Sequence, residues 1–395
     1  MAQPSDSSPR VNRPASGDMF EFHPESPSIH LSTAYVIADL DAYDQASGGG
    51  GYVYSRLKNP TRAALAGLIT ELEHGDDSVV LCSGMAAIST AVMALADGGA
   101  HVVTGDSIYA EAVELFDQVL SRFGLSFSYV DLTDIEAVAA ALTPATKIIY
   151  LEPVTNPLIK VVDLEKIAEL AHRHGAMVVV DSTFTTPLMI NPLDHGADLV
   201  VHSLTKFIGG HGDVTAGSIT GRGEAIKKTA ATARLLGPLC DPQSAWLLMR
   251  SLRTFDLRVT RQMDNAARLA ESLSQNPRVR QVNYPGLPGH PQHDLAARMF
   301  GGRFGAMLSF RVEDDREKVN EFLHRLKTVR YLATLGGDRT SVAHPATAFR
   351  LDFSPEELLK FGMHEGLIRI SAGLEPAEEI IGDLNQALAV FAADG

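Results

Sequence analysis

Short apolar segments alternate with longer amphipathic segments from residue 78 to about residue 203, and this alternation constrains the fold most strongly. Nearly continuous apolar runs are typical of strands in a parallel sheet that is covered on both faces, and the amphipathic segments predict the covering helices. The apolar runs lie at 78–82, 101–105, 127–131, 147–153, 176–181 and 199–201. Because ligands of such sheets bind beyond the carboxyl ends of the strands, we expect functional residues there.

The segment 163–175 shows the helical pattern most clearly. Asp163 is the expected N-cap, and Gly175 is the expected C-terminal stop. Leu164, Ile167 and Ala171 recur at helical spacing between them. The pattern predicts a helix that packs this apolar face against the sheet.

Net charge and cysteine content argue against several classes of function. The formal net charge is −14, which disfavours nucleic acid or an anionic membrane as the main partner. The two cysteines, Cys82 and Cys240, provide neither a disulfide framework nor a cysteine-rich metal site. No apolar run is long enough to span a bilayer, and the first residues lack the apolar core of a signal peptide. We therefore expect a cytoplasmic protein.

Polar residues that could take part in binding or catalysis follow three of the predicted strands. Asp181 closes the run 176–181, and Lys206 follows the run 199–201. Ser83 and Gly84 join the run 78–82 to a helical segment. Backbone N–H groups at such a helix start bind anions, and the hydroxyl groups that flank the lysine could add donors. The residues of this predicted anion site are Ser83, Gly84, Met85, Ser203 and Thr205.

An anion site, a lysine and a buried carboxylate together suggest pyridoxal 5′-phosphate (PLP). The lysine amine would form a Schiff base with the aldehyde, the carboxylate would pair with the pyridine nitrogen, and the phosphate would bind at the start of the helix. Each feature alone has an ordinary explanation, since a strand-end lysine is often solvated and a strand-end aspartate often forms a turn. The combination of all three favours the cofactor.

Longer motifs carry a resemblance to a known family. "VVVDSTFTTP" (178–187) and "GADLVVHSLTKFIGGHGDVTAG" (196–217) resemble the signature of the Cys/Met-metabolism PLP-dependent enzymes, which include cystathionine and methionine γ-lyases and homoserine-ester sulfhydrylases. Further similar segments are "YVYSRLKNPTR" (52–62), "LCSGMAAI" (81–88), "EPVTNP" (152–157) and "LIRISAGLE" (367–375). The resemblance extends from about residue 20 to residue 380.

The resemblance implies a role for each matching residue. Lys206 would be the Schiff-base lysine and proton shuttle, Asp181 would hold the pyridine nitrogen, and Asn156 would bond the phenolic oxygen of the ring. Tyr109 would stack on the ring and assist the leaving group, and Arg369 would clamp the substrate carboxylate. The phosphate would be held by Ser83, Gly84, Met85, Ser203 and Thr205, and by Tyr54 and Arg56 from a neighbouring subunit.

The resemblance also implies the architecture. We expect a type I PLP-dependent (aspartate aminotransferase-like) α/β fold, in which a mostly parallel seven-stranded sheet has helices on both faces. We place an N-terminal arm that contacts a neighbouring subunit at 1–57, the PLP-binding domain at 58–255 and a smaller α+β domain at 256–395. The expected assembly is a homotetramer, a dimer of dimers with active sites at the dimer interface.

Five positions depart from the family pattern. Glu111 stands where methionine γ-lyases have a cysteine near the γ-substituent, so it either stabilises a helix start or faces a cationic substrate. Thr334 replaces a usual serine, and Arg339 replaces a glutamate that is common in lyases. A basic residue at position 339 resembles the sulfhydrylases more than the lyases. Arg339 could also pair with Glu111 or with a surface acid. Phe349 and Arg350 replace a usual Thr-His.

These features predict an enzyme of γ-elimination or γ-replacement on an L-amino acid. Glu111 tilts the prediction towards a polar or cationic γ-substituent such as that of canavanine, with Thr334 and Arg369 as further substrate contacts. The alternatives are a methionine, homocysteine or cystathionine γ-lyase and a sulfhydrylase of an O-acylhomoserine. A nicotinamide-dependent oxidoreductase is disfavoured because no early Gly-x-Gly-x-x-Gly follows a strand. A non-catalytic PLP-binding protein is disfavoured by Lys206, Tyr109 and Arg369.

Overall fold

The computed structural model describes residues 25–348, 355–360 and 362–392. Two sheets organise this part of the chain. The strands are β1 Asp77–Leu81, β2 His101–Gly105, β3 Ser126–Val130, β4 Thr146–Leu151, β5 Met177–Asp181, β6 Leu199–Ser203, β7 Gly217–Gly221, β8 Gln281–Asn283, β9 Met307–Arg311, β10 Arg330–Tyr331, β11 Ser341–Ala343 and β12 Leu367–Ser371. The departure at positions 349 and 350 lies outside the described residues.

Helices fill most of the connections between the strands. The α-helices are α1 Leu40–Gln45, α2 Pro60–Leu72, α3 Gly84–Leu95, α4 Ala110–Glu114, α5 Ile135–Ala141, α6 Leu164–His174, α7 Thr186–Met189, α8 Gly223–Leu236, α9 Pro242–Leu252, α10 Phe255–Ser274, α11 His293–Met299, α12 Arg316–Arg325, α13 Pro345–Ala348, α14 Pro355–Lys360 and α15 Ala377–Leu388. Short π or 3₁₀ segments lie at Ala46–Gly50, Leu115–Val119, Leu120–Phe123 and Pro192–His195.

The large sheet has seven strands in the order β1-β7-β6-β5-β4-β2-β3. Strands β2 to β6 pair in parallel, whereas β7 runs antiparallel to both β6 and β1. The prediction of a mostly parallel seven-stranded sheet is thereby confirmed. Because the parallel strands point the same way, the residues that follow β4, β5 and β6 meet at one edge of the sheet.

Both faces of the large sheet are buried, as the continuous apolar runs predicted. In β5, Val178 and Val180 pack into one apolar core with α2 and α6. Val179 lies between them and packs into a second core on the opposite face, with α3. Side chains alternate along a strand, so a strand with apolar residues at every position must be covered on both sides.

Helix α6 follows its sequence signals closely. The side chain of Asp163 accepts a hydrogen bond from the Lys166 N–H, and Gly175 ends the helix at φ 75°. Leu164 and Ile167 are buried against the sheet, which confirms the predicted apolar face. The positive φ favours glycine because other residues meet steric strain there.

The smaller sheet has five strands in the order β10-β11-β12-β9-β8. Helix α10 connects it with the large sheet, because Val259 and Met263 belong to the first core while Leu269 and Leu273 belong to the core of the smaller sheet. The boundary at residue 255/256 stays a prediction, since this helix serves both cores. No helix in the described ranges is long and apolar enough to cross a membrane.

Candidate active site

A cavity of about 280 Å³ lies beyond the carboxyl ends of β5 and β6, between the two sheets. Most of the predicted site residues line this cavity. They are Ser83, Gly84, Met85, Tyr109, Glu111, Asn156, Asp181, Ser203, Thr205, Lys206, Thr334 and Arg369. The sequence analysis missed the other lining residues, which are Ile88, Glu152, Thr183, Phe184, Thr215, Ala333 and Leu335.

The start of α3 forms the anion-binding end of the cavity. Ser83 caps the helix by accepting a hydrogen bond of 3.0 Å from the Ala86 N–H. Gly84 lies so close to β6 that a Cβ on it would come within 2.8 Å of the Ser203 Cβ. The glycine therefore lets a helix start and a strand end meet, and free N–H groups with nearby hydroxyls suit a phosphate. The Thr205 hydroxyl is also bonded to the backbone of Ala216.

Asp181 provides a buried acceptor at the end of β5. Only 7% of the residue is exposed. One carboxylate oxygen accepts from the Thr183 N–H at 3.0 Å, and the other accepts from the Tyr150 hydroxyl at 3.2 Å. Burial raises the pKa of Asp181, while the donors of Thr183 and Tyr150 act to lower it. These donors orient the carboxylate and favour its ionised form, which is the form that pairs with a protonated ring nitrogen.

Lys206 lies in the turn after β6 and reaches across to the smaller sheet. Its Nζ donates a hydrogen bond of 3.1 Å to Oγ1 of Thr334, which precedes β11. Burial and, secondarily, the positive charge of Arg369 lower the pKa of the lysine amine. A lowered pKa favours the neutral amine, which is the nucleophilic and basic form.

Arg369 enters the cavity from β12. Its guanidinium donates to Oδ1 of Asn156 at 3.0 Å and to the carbonyl of Thr334 at 3.5 Å. Burial lowers the pKa of Arg369 to about 10, so the group stays cationic at neutral pH. A planar guanidinium with free donors is suited to bind a carboxylate bidentately.

Tyr109 and Glu111 bound the cavity at the start of α4. The Tyr109 N–H donates to Oε1 of Glu152 at 2.8 Å, which holds the backbone of the tyrosine. Burial, followed by the negative charge of Glu111, raises the pKa of the Tyr109 hydroxyl. Within the described residues, no ion pair joins Glu111 to Arg339, and Arg339 does not line the cavity. Glu111 therefore contributes a carboxylate that interacts with the Tyr109 hydroxyl and, at longer range, with the charges of Lys206 and Arg369.

Tyr54 and Arg56 do not line the cavity of their own chain. Arg56 donates to the Arg234 carbonyl at 3.0 Å and lies 5.8 Å from the centre of the Tyr54 ring. Tyr54 is 41% exposed. Their predicted role in a neighbouring subunit's site stays a prediction.

Of the missed lining residues, Glu152 and Thr183 had a signal in the sequence. Glu152 directly follows the apolar strand β4, and Thr183 follows Asp181 by two residues. Both thus stand at the strand ends where ligands of parallel sheets bind. Ala333 and Leu335 lie in the loop between β10 and β11, and only the packing of the two sheets brings this loop to the cavity.

The residues of the cavity fit PLP. One end offers N–H groups and hydroxyls for a phosphate, and the α3 start approaches closely enough only because residue 84 is glycine. Asp181 offers an ionisable acceptor that would hold a pyridine nitrogen, and Lys206 offers an amine of lowered pKa. These are the groups that a phosphorylated pyridine aldehyde requires.

Comparison with known proteins decides the family. A sequence model of the Cys/Met metabolism PLP-dependent enzymes matches residues 10–389. The chain belongs to this family. It is therefore a PLP-dependent enzyme of the γ-elimination and γ-replacement class, and PLP is its cofactor.

Several relatives in this family cover most of the chain. An O-succinylhomoserine sulfhydrylase of Pseudomonas aeruginosa is 40% identical over 86% of this chain and 84% of its own. A cystathionine γ-lyase of Bacillus subtilis is 41% identical over 89% and 93% of the two chains. An L-methionine γ-lyase of Fusobacterium nucleatum is 38% identical over 88% and 90%.

Solved structures confirm the type I PLP-dependent fold. A cystathionine γ-lyase of Lactobacillus plantarum in complex with L-serine superposes with a TM-score of 0.87, at 34% identity, over 94% of this chain and 95% of its own. An O-acetylhomoserine (thiol)-lyase of Campylobacter jejuni has a TM-score of 0.88 at 30% identity, over 93% and 96% of the two chains. The latter structure contains N′-pyridoxyl-lysine-5′-monophosphate.

Proposed function

We propose that this family member catalyses γ-elimination on an L-α-amino acid with a polar or cationic γ-substituent, with canavanine as the expected substrate. The observation that carries the proposal is the Glu111 carboxylate, which lines the same cavity as Lys206 and Arg369. No described cation lies within ion-pair distance of it, although the charges of Lys206 and Arg369 act on it across the cavity, so its oxygens can accept hydrogen bonds from a cationic substrate. A charge-assisted hydrogen bond to a guanidinium is stronger than a contact to a thioether.

The proposed roles begin with the cofactor. When bound, PLP supplies an electron sink that stabilises negative charge at the substrate's α-carbon. The start of α3 with Ser83, Gly84, Met85, Ser203 and Thr205 would hold its phosphate. Asp181 would keep its ring nitrogen protonated, and Asn156 would bond its phenolic oxygen. The buried hydrogen bonds of Asp181 support its part in this arrangement.

Lys206 and Arg369 would act on the substrate. Arg369 would bind the α-carboxylate, for which its position beside Asn156 leaves donors free. Lys206 would take the proton from the α-carbon and move it further along the substrate. Burial lowers the pKa of Lys206, so less free energy is needed to present the neutral amine as a base. The hydroxyl of Thr334, bonded to Lys206, would orient the amine.

Tyr109 would assist departure of the γ-substituent. Because burial and the charge of Glu111 raise its pKa, the phenol stays protonated at neutral pH and can donate its proton to the leaving group. Glu111 lies two residues after Tyr109, in the first turn of α4, and would bind the cationic end of that substituent. Loss of the substituent and hydrolysis would give 2-oxobutanoate and ammonia, and addition of water at the γ-carbon would give homoserine.

A second candidate is action on sulfur amino acids. The relatives include methionine and cystathionine γ-lyases, which supports elimination from methionine, homocysteine or cystathionine to 2-oxobutanoate and ammonia. They also include an O-succinylhomoserine sulfhydrylase, which supports γ-replacement on an O-acylhomoserine. The basic Arg339 is consistent with the latter, although it does not line the cavity.

The proposed assembly is a homotetramer in which Tyr54 and Arg56 reach the phosphate of a neighbouring subunit. Large apolar side chains are exposed on the segment before α2, which supports burial of this segment between subunits. Leu31 is 74% exposed, and Leu40 is 84% exposed. We also propose domain boundaries at 57/58 and 255/256.

One set of assays tests the substrate. Purified protein loaded with PLP is incubated with canavanine, methionine, homocysteine, cystathionine, and O-succinylhomoserine with sulfide, and the products are identified. The proposal expects the largest kcat/KM on canavanine. Brisk cleavage of methionine or cystathionine without canavanine turnover would assign the enzyme to sulfur amino acids, and sulfide-dependent homocysteine formation would assign it to the sulfhydrylases.

A further inference from the structure

Two glutamates lie almost entirely inside the protein, and they differ in what they face. Glu73 is 0% exposed and Glu152 is 7% exposed. In each, the oxygen Oε2 is buried and has no hydrogen-bond partner among the described residues. The other oxygen of Glu73 is paired with Nε2 of His202, whereas that of Glu152 accepts from the backbone N–H of Tyr109 at 2.8 Å. Glu73 thus has a partner that can carry a countercharge, and Glu152 faces a neutral amide.

The titratable groups around Glu152 come from three strands and a helix start. They are Asp181 of β5, Tyr150 of β4, Arg369 of β12 and Tyr109 before α4. Burial and then the negative charge of Asp181 raise the pKa of Glu152 well above its ordinary value, and the N–H groups of Tyr109 and Asn156 and the charge of Arg369 only partly oppose this. The guanidinium of Arg369 makes its hydrogen bonds to Asn156 and Thr334 instead.

Two neighbouring buried carboxyl groups cannot both ionise at low cost, so one of them keeps a proton. Asp181 is the better candidate for the charge, because it accepts from both Thr183 and the Tyr150 hydroxyl and because a cationic ring nitrogen would lie against it. Glu152 has no hydroxyl donor, hydrogen bonds only from the N–H groups of Tyr109 and Asn156 favour its ionised form, and its Oε2 has no hydrogen-bond partner among the described residues. An uncompensated anionic oxygen in such surroundings is far more costly than a protonated one.

We propose that Glu152 is a positioning residue that stays protonated: it holds the backbone of Tyr109 with one oxygen and leaves the positive charge of Arg369 to the substrate's carboxylate. An ionised Glu152 would compete with that carboxylate for the guanidinium. A residue without an acceptor at position 152 would leave the Tyr109 N–H without its hydrogen bond, and the phenol would no longer be held in its orientation. The inference rests on the proposed roles of Tyr109 and Arg369, but its protonation state can be tested without any turnover.

Infrared spectroscopy of the PLP-loaded protein tests whether Glu152 is protonated. A protonated carboxylic acid has a carbonyl stretching band that an ionised carboxylate lacks and that shifts in D₂O. We expect this band in the wild type, its loss in Glu152→Gln, and its retention in Glu73→Gln, the matched control from the second buried glutamate. A band that survives Glu152→Gln, or that disappears only in Asp181→Asn, would overturn the proposal.

Kinetics test the positioning role on whichever substrate the enzyme turns over, so a failure of canavanine does not affect the result. Glu152→Ala removes the acceptor of the Tyr109 N–H and is expected to lower kcat about tenfold. Glu152→Gln keeps a neutral acceptor of the same shape and is expected to restore most of that loss. The pH at which the cofactor absorption band changes should be the same in Glu152→Gln and in the wild type.

Two results would contradict the proposed neutral state and positioning role of Glu152. If Glu152→Gln lowered KM and shifted the pH of the spectral change, the wild-type glutamate would carry a charge. If Glu152→Gln lost as much kcat as Glu152→Ala, the acceptor would not position Tyr109. If the Glu152→Ala variant fails to fold, the infrared comparison and the Glu152→Gln variant still test the proposal, because neither measurement requires the Ala variant.

Discussion

The amine of Lys206 lies 3.1 Å from the hydroxyl of Thr334, although 128 residues separate them in the chain. Lys206 follows β6 of the large sheet, and Thr334 lies between β10 and β11 of the smaller sheet. The cavity is therefore closed only when the two sheets pack together. The proposed cofactor residues come mainly from the large sheet, and the proposed substrate residues Thr334 and Arg369 come from the smaller one.

The attachment of PLP to Lys206 is the first prediction. Protein loaded with PLP should be yellow, and borohydride should fix the pyridoxyl group to one peptide that contains Lys206. Lys206→Ala should lower kcat by about 10²–10⁴-fold, because it removes both the attachment point and the proposed base. Peptide mass spectrometry provides the check, and a label on another lysine would show that the assignment is wrong.

Gly84 should be essential for the phosphate end of the cavity. Gly84→Ala places a Cβ 2.8 Å from the Ser203 Cβ, so the start of α3 must move away from β6. We expect roughly tenfold or more weaker PLP affinity in a spectrophotometric titration. Gly67→Ala in α2 is the control, because no atom lies within 4 Å of its Cβ. It should stabilise the protein by about 0.5–1 kcal/mol and leave PLP affinity unaffected, and equal effects of the two variants would contradict the close approach.

Glu111 should determine preference for a cationic substrate. Glu111→Gln removes the charge but keeps the shape, so kcat/KM for canavanine should fall by about ten- to hundred-fold. Any methionine activity should change little, since a thioether makes no such hydrogen bond. The measurement is a pair of specificity constants for each protein. Equal losses on both substrates would mean that Glu111 only stabilises the start of α4.

The proposed contribution of Arg56 across the subunit boundary predicts complementation. Arg56→Ala and Lys206→Ala should each be nearly inactive, but unfolding and refolding them together should restore activity, because a mixed dimer contains one intact site. Lys206→Ala mixed with Asp181→Asn is the control, since both residues line the cavity of the same chain. If neither mixture regains activity while mixed dimers form, Arg56 does not act across the boundary.

The lowered pKa of Lys206 predicts how stability depends on pH. Because burial and the charge of Arg369 place the folded-state pKa below the ordinary 10.5, the unfolded chain binds more protons between these two values. Stability then rises with pH through this interval, and the buried amine destabilises the cofactor-free protein most near neutral pH. Cofactor-free Lys206→Met should melt at a higher temperature than the wild type near neutral pH, with the difference narrowing towards pH 10.5. A difference that is independent of pH would contradict a lowered pKa.

Local patterns were enough to predict much of this protein. The apolar run that ends at Asp181 and the capped segment 163–175 predicted β5 and α6, because burial on two faces and helix capping are decided by neighbouring residues. The joint presence of Lys206, Asp181 and the Ser83-Gly84 turn predicted PLP, because parallel strands deliver their ends to one edge whatever the rest of the chain does.

Only the tertiary structure decided which distant residues share the cavity and in what electrostatic state. The possible pairing of Arg339 with Glu111 could not be judged from their types, and the packing of the two sheets leaves Arg339 outside the cavity. The sequence marks Glu152 as one more strand-end acid, whereas its burial beside Asp181 is what raises its pKa. Strand burial and helix capping depend on residues that are close in the sequence, but desolvation and charge coupling depend on every element that closes over a group.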